Sequence, residues 1–303
     1  MKSIRIGTRN SALALWQARE VARHLQNNNY LTDIVPIVSS GDKNLNQPLY
    51  SLGITGVFTR DLDTALLNDE IDIAVHSLKD VPTVLPENIE LIAHLERDFP
   101  QDVLIRKESS RNKEFHELKL ATSSLRRRAF WLRNFPNAEF SDIRGNIQTR
   151  LQKLEEQDFD ATILSLAGIK RMKMDIDYEM LPMMISAPSQ GVIAVAGHSH
   201  KQEINDIVRK INHKKTQICV EIERNFLNTL EGGCTAPIGA FAEIFDDQIR
   251  FKAALCSLDG KNCIATDENF VYNEEENYGK KFAKIVLENG GKELMTEIKG
   301  QIK

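Results

Sequence analysis

Across its first two-thirds the chain hands over repeatedly from a short apolar strand to a helix, and this limits the fold more than any other feature. Residues 3–7 (SIRIG) read as a strand leading into a helix at about residues 11–26, where Ala14, Ala18, Val21 and Leu25 share one face. DIVPIV (33–38) is the next strand, Phe58, Leu62 and Leu66 mark another helix, and IDIAVHS (71–77) is a further strand. ERDFPQD (96–102) interrupts the pattern, and a second series starts at VLIRK (103–107). It runs through KLATSS (119–124), a helix from about 124 to 134, the strand AEFSDI (138–143), a helix from about 146 to 157, and FDATILSLAG (159–168). Such alternation predicts parallel sheets covered by helices.

Two stretches break the rhythm. SSGDKNLNQPLYSLGITG (39–56) is too long and irregular for a turn and reads as a mobile loop near a site. MLPMMISAPSQG (180–191) reads as a linker or return crossing. From Asn212 the character changes: a helix ends at Gly232-Gly233 and the strands IGAFAEIF, IRFKAALCSL and CIATDENFV follow, with a last helix at about 276–289. Turns at Asp246-Asp247 and Asp259–Asn262 join the strands, which predicts a small α+β domain with a three-stranded antiparallel sheet.

Composition narrows the function classes. The net charge of −4 gives no global field favouring nucleic acid, so any bound anion must be held by local arginines. The first residues lack the apolar core of a secretory signal and no run is long enough to span a bilayer, which points to a cytoplasmic protein with no membrane partner. Cys219, Cys234, Cys256 and Cys263 form no C-x-x-C pair, which argues against a zinc ribbon or a disulfide framework and fits a reducing compartment. The seven histidines are scattered without metal-ligand spacing, so no metal is expected.

Three strand-to-helix junctions carry arginines: Thr8-Arg9-Asn10-Ser11, Thr122-Ser123-Ser124-Leu125-Arg126-Arg127-Arg128, and Arg144-Gly145-Asn146. Helix starts already offer free N–H groups to an anion. Arginine there opposes the helix dipole, so Arg126 and Arg127 cost stability unless an anion lies between them. Arg150 follows one turn after Asn146, and Arg171 follows the strand FDATILSLAG. Ligands bind at this end of the strands in α/β sheets, so the arginines point to a ligand with several carboxylates. Arg128 and Arg133 read instead as solvated surface residues.

Asp80, in HSLKDVP (76–82), ends a strand just before Pro82; it is either a turn former or a general acid/base. Lys79 beside it suits an anion, and His76 reads as a core histidine. Cys234 sits in LEGGCTAPIG (230–239) on a glycine turn, where a thiol is open to covalent chemistry, although no histidine stands nearby to activate it.

Taken together, GTRNSALALWQA, DIAVHSLKDVP, ATSSLRRRA, DIRGNIQTRLQKL, LAGIKR and NHKKTQICVEIERNFLNTLEGGCTAPIGAFAE resemble the porphobilinogen deaminase (hydroxymethylbilane synthase) family over nearly the whole chain. The resemblance implies two α/β domains like those of periplasmic binding proteins, domain 1 over 1–95 and 190–210 and domain 2 over 98–187. A third domain over 212–303 carries the cofactor cysteine. It implies a transferase of tetrapyrrole biosynthesis that acts, as a monomer, on porphobilinogen, releasing ammonia through an azafulvene and building hydroxymethylbilane on a covalent dipyrromethane cofactor. Cys234 matches the attachment residue and Asp80 the catalytic carboxylate. Arg9, Ser11, Arg126, Arg127, Arg144, Arg150 and Arg171 match positions that bind acetate and propionate groups. Gln17, Phe58, Lys79, Thr122, Ser124, Gly145 and Gln190 join them as binding residues. Thr55 and Ser51 stand where the family commonly has lysine, and Ser189 where glycine is more usual. The α/β pair alone would also suit a non-catalytic binder of organic polycarboxylates, but that reading leaves Cys234 unexplained.

Overall fold

A computed structural model describes residues 3–38, 59–231 and 236–302. The chain begins β1 (Ile4–Arg9), α1 (Ala12–Asn27), β2 (Thr32–Ile37), α2 (Arg60–Leu67), β3 (Ile73–Ser77) and β4 (Ile89–His94). Next come β5 (Asp102–Arg106), β6 (Lys119–Ala121), α3 (Leu125–Asn134), β7 (Glu139–Ser141), α4 (Ile147–Glu156), β8 (Ala161–Ser165), α5 (Leu166–Arg171) and β9 (Glu179–Met180). It ends with β10 (Ile193–His198), α6 (Gln202–Arg209), α7 (Lys214–Thr229), β11 (Ile238–Phe245), β12 (Gln248–Cys256), β13 (Cys263–Val271), α8 (Tyr278–Val286) and α9 (Lys292–Gln301). The described residues divide into two compact units. One runs to Asp98 and resumes for Gly191–Ile218; the other holds Phe99–Gln190 and the chain from Cys219 onward.

The first unit is built on a sheet of order β2-β1-β3-β10-β4. Alternation along β3 sends Ile73 and Val75 to one face, where they pack with Ala18, Val21 and Leu25 of α1. Ala74 turns to the other face, against Leu62 and Leu66 of α2. The apolar stripe expected on the first helix is therefore the buried one.

The second unit repeats the plan with order β7-β6-β8-β5-β9. Val103 and Ile105 of β5 pack with Leu154 and Leu164, whereas Leu104 joins Leu120, Trp131 and Ile163 on the opposite face. Neither sheet is wholly parallel, contrary to the expectation from the alternation. β10 runs antiparallel to β3 and β4, and β5 antiparallel to β8 and β9. Each of these strands follows a crossing segment, not a covering helix, so nothing forces it to run with the others. The consequence for the site is direct: the first residue of β5, Asp102, lies opposite Ser165 at the last residue of β8.

β11-β12-β13 form the expected three-stranded antiparallel sheet. Its register sets Cys256 opposite Cys263, and the two are joined as a disulfide, where the cysteine spacing argued against a disulfide framework. Periodicity could not show this, because only the register makes the two residues neighbours. The last helix is split by Gly290 at φ 97° into α8 and α9. α8 lies so close to α7 that a Cβ on Gly279 would come within 2.2 Å of the Ile222 carbonyl oxygen.

Within the second unit the segment before β10 is firmly held. Ser189 is fully buried and donates its N–H to Glu223 Oε2 at 2.6 Å, while Glu223 Oε1 accepts the Ala242 N–H at 2.7 Å. Ser189 has φ 66°, in the left-handed region that glycine adopts freely, and its buried Oγ has no hydrogen-bond partner among the described residues. Both features cost free energy that a glycine would avoid. Ser189→Gly is expected to stabilise the protein by about 1 kcal/mol, after the greater unfolded-state freedom of glycine is offset. Chemical denaturation of the two proteins checks this, and a lower midpoint for the variant would contradict it.

Candidate functional site

In the first unit the C-terminal ends of the adjacent parallel strands β1 and β3 bring the expected residues together. Ser11 caps α1, its Oγ accepting the Ala14 N–H at 3.3 Å. Gln17, one turn into the helix and buried, donates through Nε2 to Ser77 Oγ at 2.8 Å, and Ser77 donates back to Gln17 Oε1 at 3.2 Å. This pair ties the start of α1 to the end of β3. His76 is a core residue, as expected. Burial, with the positive charge of Arg9 adding to it, pulls its pKa to about 4, so the ring is neutral at working pH.

Asp80 ends a single 3₁₀ turn, Leu78–Asp80, that continues directly from β3. The turn is anchored by the Leu78 N–H donating to the Val192 carbonyl at 3.0 Å. Asp80 is half-buried, and among the described residues its carboxylate has neither a hydrogen-bond donor nor a cation paired with it. Lys79 precedes it on the same turn.

The second unit gathers its residues at the ends of β6, β7 and β8, which are parallel neighbours. Ser124 caps α3, accepting the Arg127 N–H at 3.4 Å, and buried Thr122 accepts the Ser124 N–H at 3.3 Å. Asn146 caps α4 through the Thr149 N–H at 2.8 Å. Gly145 before it has φ 119°, and a Cβ there would collide with Thr149 at 2.6 Å, so only glycine passes this corner. Arg150 Nε donates to the Gly145 carbonyl at 2.9 Å. Arg171 is buried at the end of α5, because FDATILSLAG is a strand only to Ser165 and then turns helical.

The anion that the two adjacent arginines demand is present in the fold itself. Asp102, fully buried, accepts Arg127 Nε at 3.0 Å and Nη2 at 2.8 Å through Oδ1, and lies 2.6 Å from Arg126 Nη1 through Oδ2. Burial works to raise the pKa of this carboxyl, but the two guanidinium groups outweigh it and hold the carboxyl far below the usual range. Arg127 Nη1 donates to the Ile163 carbonyl, so all three of its nitrogens have internal partners. Arg126 Nη1 also donates to the Ile185 carbonyl at 2.7 Å, but its Nε and Nη2 have no hydrogen-bond partner among the described residues. Gln190 donates to the Pro100 carbonyl at 2.7 Å and to Asp102 Oδ1 at 3.2 Å.

Sequence reasoning did not single out Asp102. Its only signal was its place at the start of a strand, and the direction of that strand was misjudged. Arg128, read as solvated, is half-buried, bonded to the Thr122 carbonyl and paired with Asp142 at 2.7 Å; Arg133 is exposed. Phe58, Cys234, Ser51 and Thr55 lie outside the described residues.

Arg144 Nη1 is buried without a hydrogen-bond partner, and burial lowers its pKa against the opposing charge of Asp142. Together with the unused donors of Arg126, it gives this sheet edge guanidinium capacity left unfilled among the described residues. Such capacity fits a group that carries several carboxylates. No group of three or more His, Cys, Asp or Glu suited to a metal ion occurs among the described residues, and no described helix is long and apolar enough to cross a membrane.

The chain is similar to known proteins over nearly its whole length. Residues 4–206 match the family model described as porphobilinogen deaminase, dipyromethane cofactor binding domain, and residues 217–288 match porphobilinogen deaminase, C-terminal domain. The porphobilinogen deaminase of Syntrophomonas wolfei is 39% identical, the match covering 98% of this chain and 99% of the relative. That of Desulfitobacterium hafniense is 40% identical over 99% and 98%. A probable porphobilinogen deaminase of Methanocaldococcus jannaschii is 46% identical over 84% and 89%. With both family models matched in order and relatives aligned from end to end, the chain belongs to the porphobilinogen deaminase family, an enzyme family whose larger domain binds a dipyrromethane cofactor.

Proposed function

We propose that the chain removes the side-chain nitrogen of porphobilinogen as ammonia and joins four of these pyrroles head to tail on a dipyrromethane primer held by Cys234 Sγ, water then breaking the bond to the primer and supplying the hydroxyl of hydroxymethylbilane. One observation carries the reading. The ends of parallel strands present a carboxylate without a cation in one unit, and guanidinium donors without acceptors in the other. The carboxylate suits a cationic reaction, and the guanidinium donors suit a substrate with several carboxylates.

Asp80 handles the proton at the departing nitrogen, and its negative charge offsets the positive charge that grows on the ring as the carbon–nitrogen bond breaks. Arg9, Ser11, Gln17 and Lys79 bind acetate and propionate groups from the first unit. Thr122, Ser124, Arg126, Arg144, Gly145, Arg150, Arg171 and Gln190 do so from the second, and Phe58 packs against a pyrrole face. Arg127 acts through Arg126 and Asp102, since its own nitrogens are occupied. The primer, when bound, supplies the nucleophilic pyrrole carbon on which the chain grows.

The enzyme works as a cytoplasmic monomer. We assign 98–187 and 212–303 to separate domains, each with its own sheet; the family models part between residues 206 and 217, while residues 212–218 group with the first compact unit.

Protein purified from cells is expected to exceed its sequence mass by two linked pyrroles, and Cys234→Ser to fold without that excess. Intact-mass spectrometry decides the point, and an unmodified wild-type mass would favour a binder of polycarboxylates over an enzyme. Asp80→Asn is expected to lower kcat by about a hundredfold to ten-thousandfold with KM changed by less than about threefold, since a general acid/base contributes on that scale. A variant with a raised KM and ordinary kcat would remove Asp80 from the chemical step.

A further inference from the structure

We propose that Asp102 is a positioning residue for substrate binding: it fixes the Arg126 guanidinium so that its free Nε–Nη2 edge is presented to a ligand carboxylate. The inference rests on the functional reading above for the identity of the ligand, and on the second unit's geometry for everything else.

The structure treats the two arginines unequally, although they are sequence neighbours on the first turn of α3. Arg127 is saturated by Asp102 Oδ1 and the Ile163 carbonyl. Among the described residues Arg126 is held only by Nη1, between Asp102 Oδ2 and the Ile185 carbonyl. A planar guanidinium pinned at one terminal nitrogen offers its opposite edge, Nε with Nη2, as a two-donor fork that matches a carboxylate. Asp102 therefore does two things. It offsets two positive charges placed at a helix start, where the dipole disfavours them, and it sets the angle at which one of them meets the ligand. Because Oδ1 serves Arg127 and Oδ2 serves Arg126, loss of charge at this carboxyl disturbs both.

Asp102→Asn keeps the shape of the side chain and removes the charge. Two buried guanidinium groups then lack a counter-ion and the variant loses stability, so it is paired with Asp102→Asn/Arg127→Gln, which removes one charge of each sign. In both variants KM for porphobilinogen is expected to rise about tenfold to a hundredfold, the scale of one lost charge-assisted contact, with kcat changed by less than about threefold. Titration calorimetry of porphobilinogen on Cys234→Ser protein, with and without Asp102→Asn, reads binding apart from turnover and is expected to show a similar weakening. A double variant with KM within about twofold of the wild type would overturn the proposal, leaving Asp102 a purely structural ion pair. If wild-type protein showed neither pyrrole adduct nor turnover while calorimetry still registered the loss, the functional reading would fail and the positioning role would stand.

Discussion

A single carboxylate, buried at the first residue of an antiparallel strand, sets the electrostatics of the second unit. Asp102 is fully enclosed, and an ionised carboxylate in such a place is tolerable only with close countercharge. Arg126 and Arg127 supply it, and they in turn could not occupy the first turn of α3 without it. Removing one partner from a buried pair typically costs about 3–5 kcal/mol, because the remaining charge is stranded. The three side chains are thus obligatory to one another. Their mutual constraint fixes where β5 starts, how α3 begins and where Gln190 anchors the segment leading to β10.

The same accounting distinguishes structural from functional charge across the second unit. Asp160 shows the fully closed case: it accepts Ser110, Lys113 and the Lys119 N–H, and these contacts hold its pKa at about 2 against the effect of burial. Nothing there remains for a ligand. At the ends of β6 and β7 the balance is left open, with Arg144 Nη1 buried and unbonded and half of Arg126 unused. Native proteins rarely leave buried donors unfilled, so two arginines with open donors at one sheet edge are a functional signal.

Much of this was legible in the sequence, for reasons that are local. Ser11, Ser124 and Asn146 cap helices where the strand-to-helix junctions placed them, because capping is decided within four residues. The demand for an anion beside Arg126 and Arg127 followed from the helix dipole alone. The identity of that anion did not, since Asp102 reaches them only because β5 runs against β8, a fact of topology across sixty residues of chain. The Cys256–Cys263 bond was hidden for the same reason, as it depends on strand register. FDATILSLAG read as one strand because no glycine or proline interrupts it before Gly168, yet the chain turns helical at Leu166 and buries Arg171 at the far end.

Ser189 shows how a departure visible in sequence acquires physical content. Where the family resemblance leads to an expectation of glycine, the backbone stands at φ 66°, and a side chain there meets both dihedral strain and a dry environment for its hydroxyl. The position is nonetheless held, because its N–H and that of Ala242 divide the two oxygens of Glu223 between them. The conformation is therefore imposed by the backbone's partners and not chosen by the residue. Glycine at this point relieves strain without being what creates the turn. By the same logic Arg126 does not choose its orientation: the Ile185 carbonyl and Asp102 impose it, and under the proposed function the ligand meets an edge already aimed.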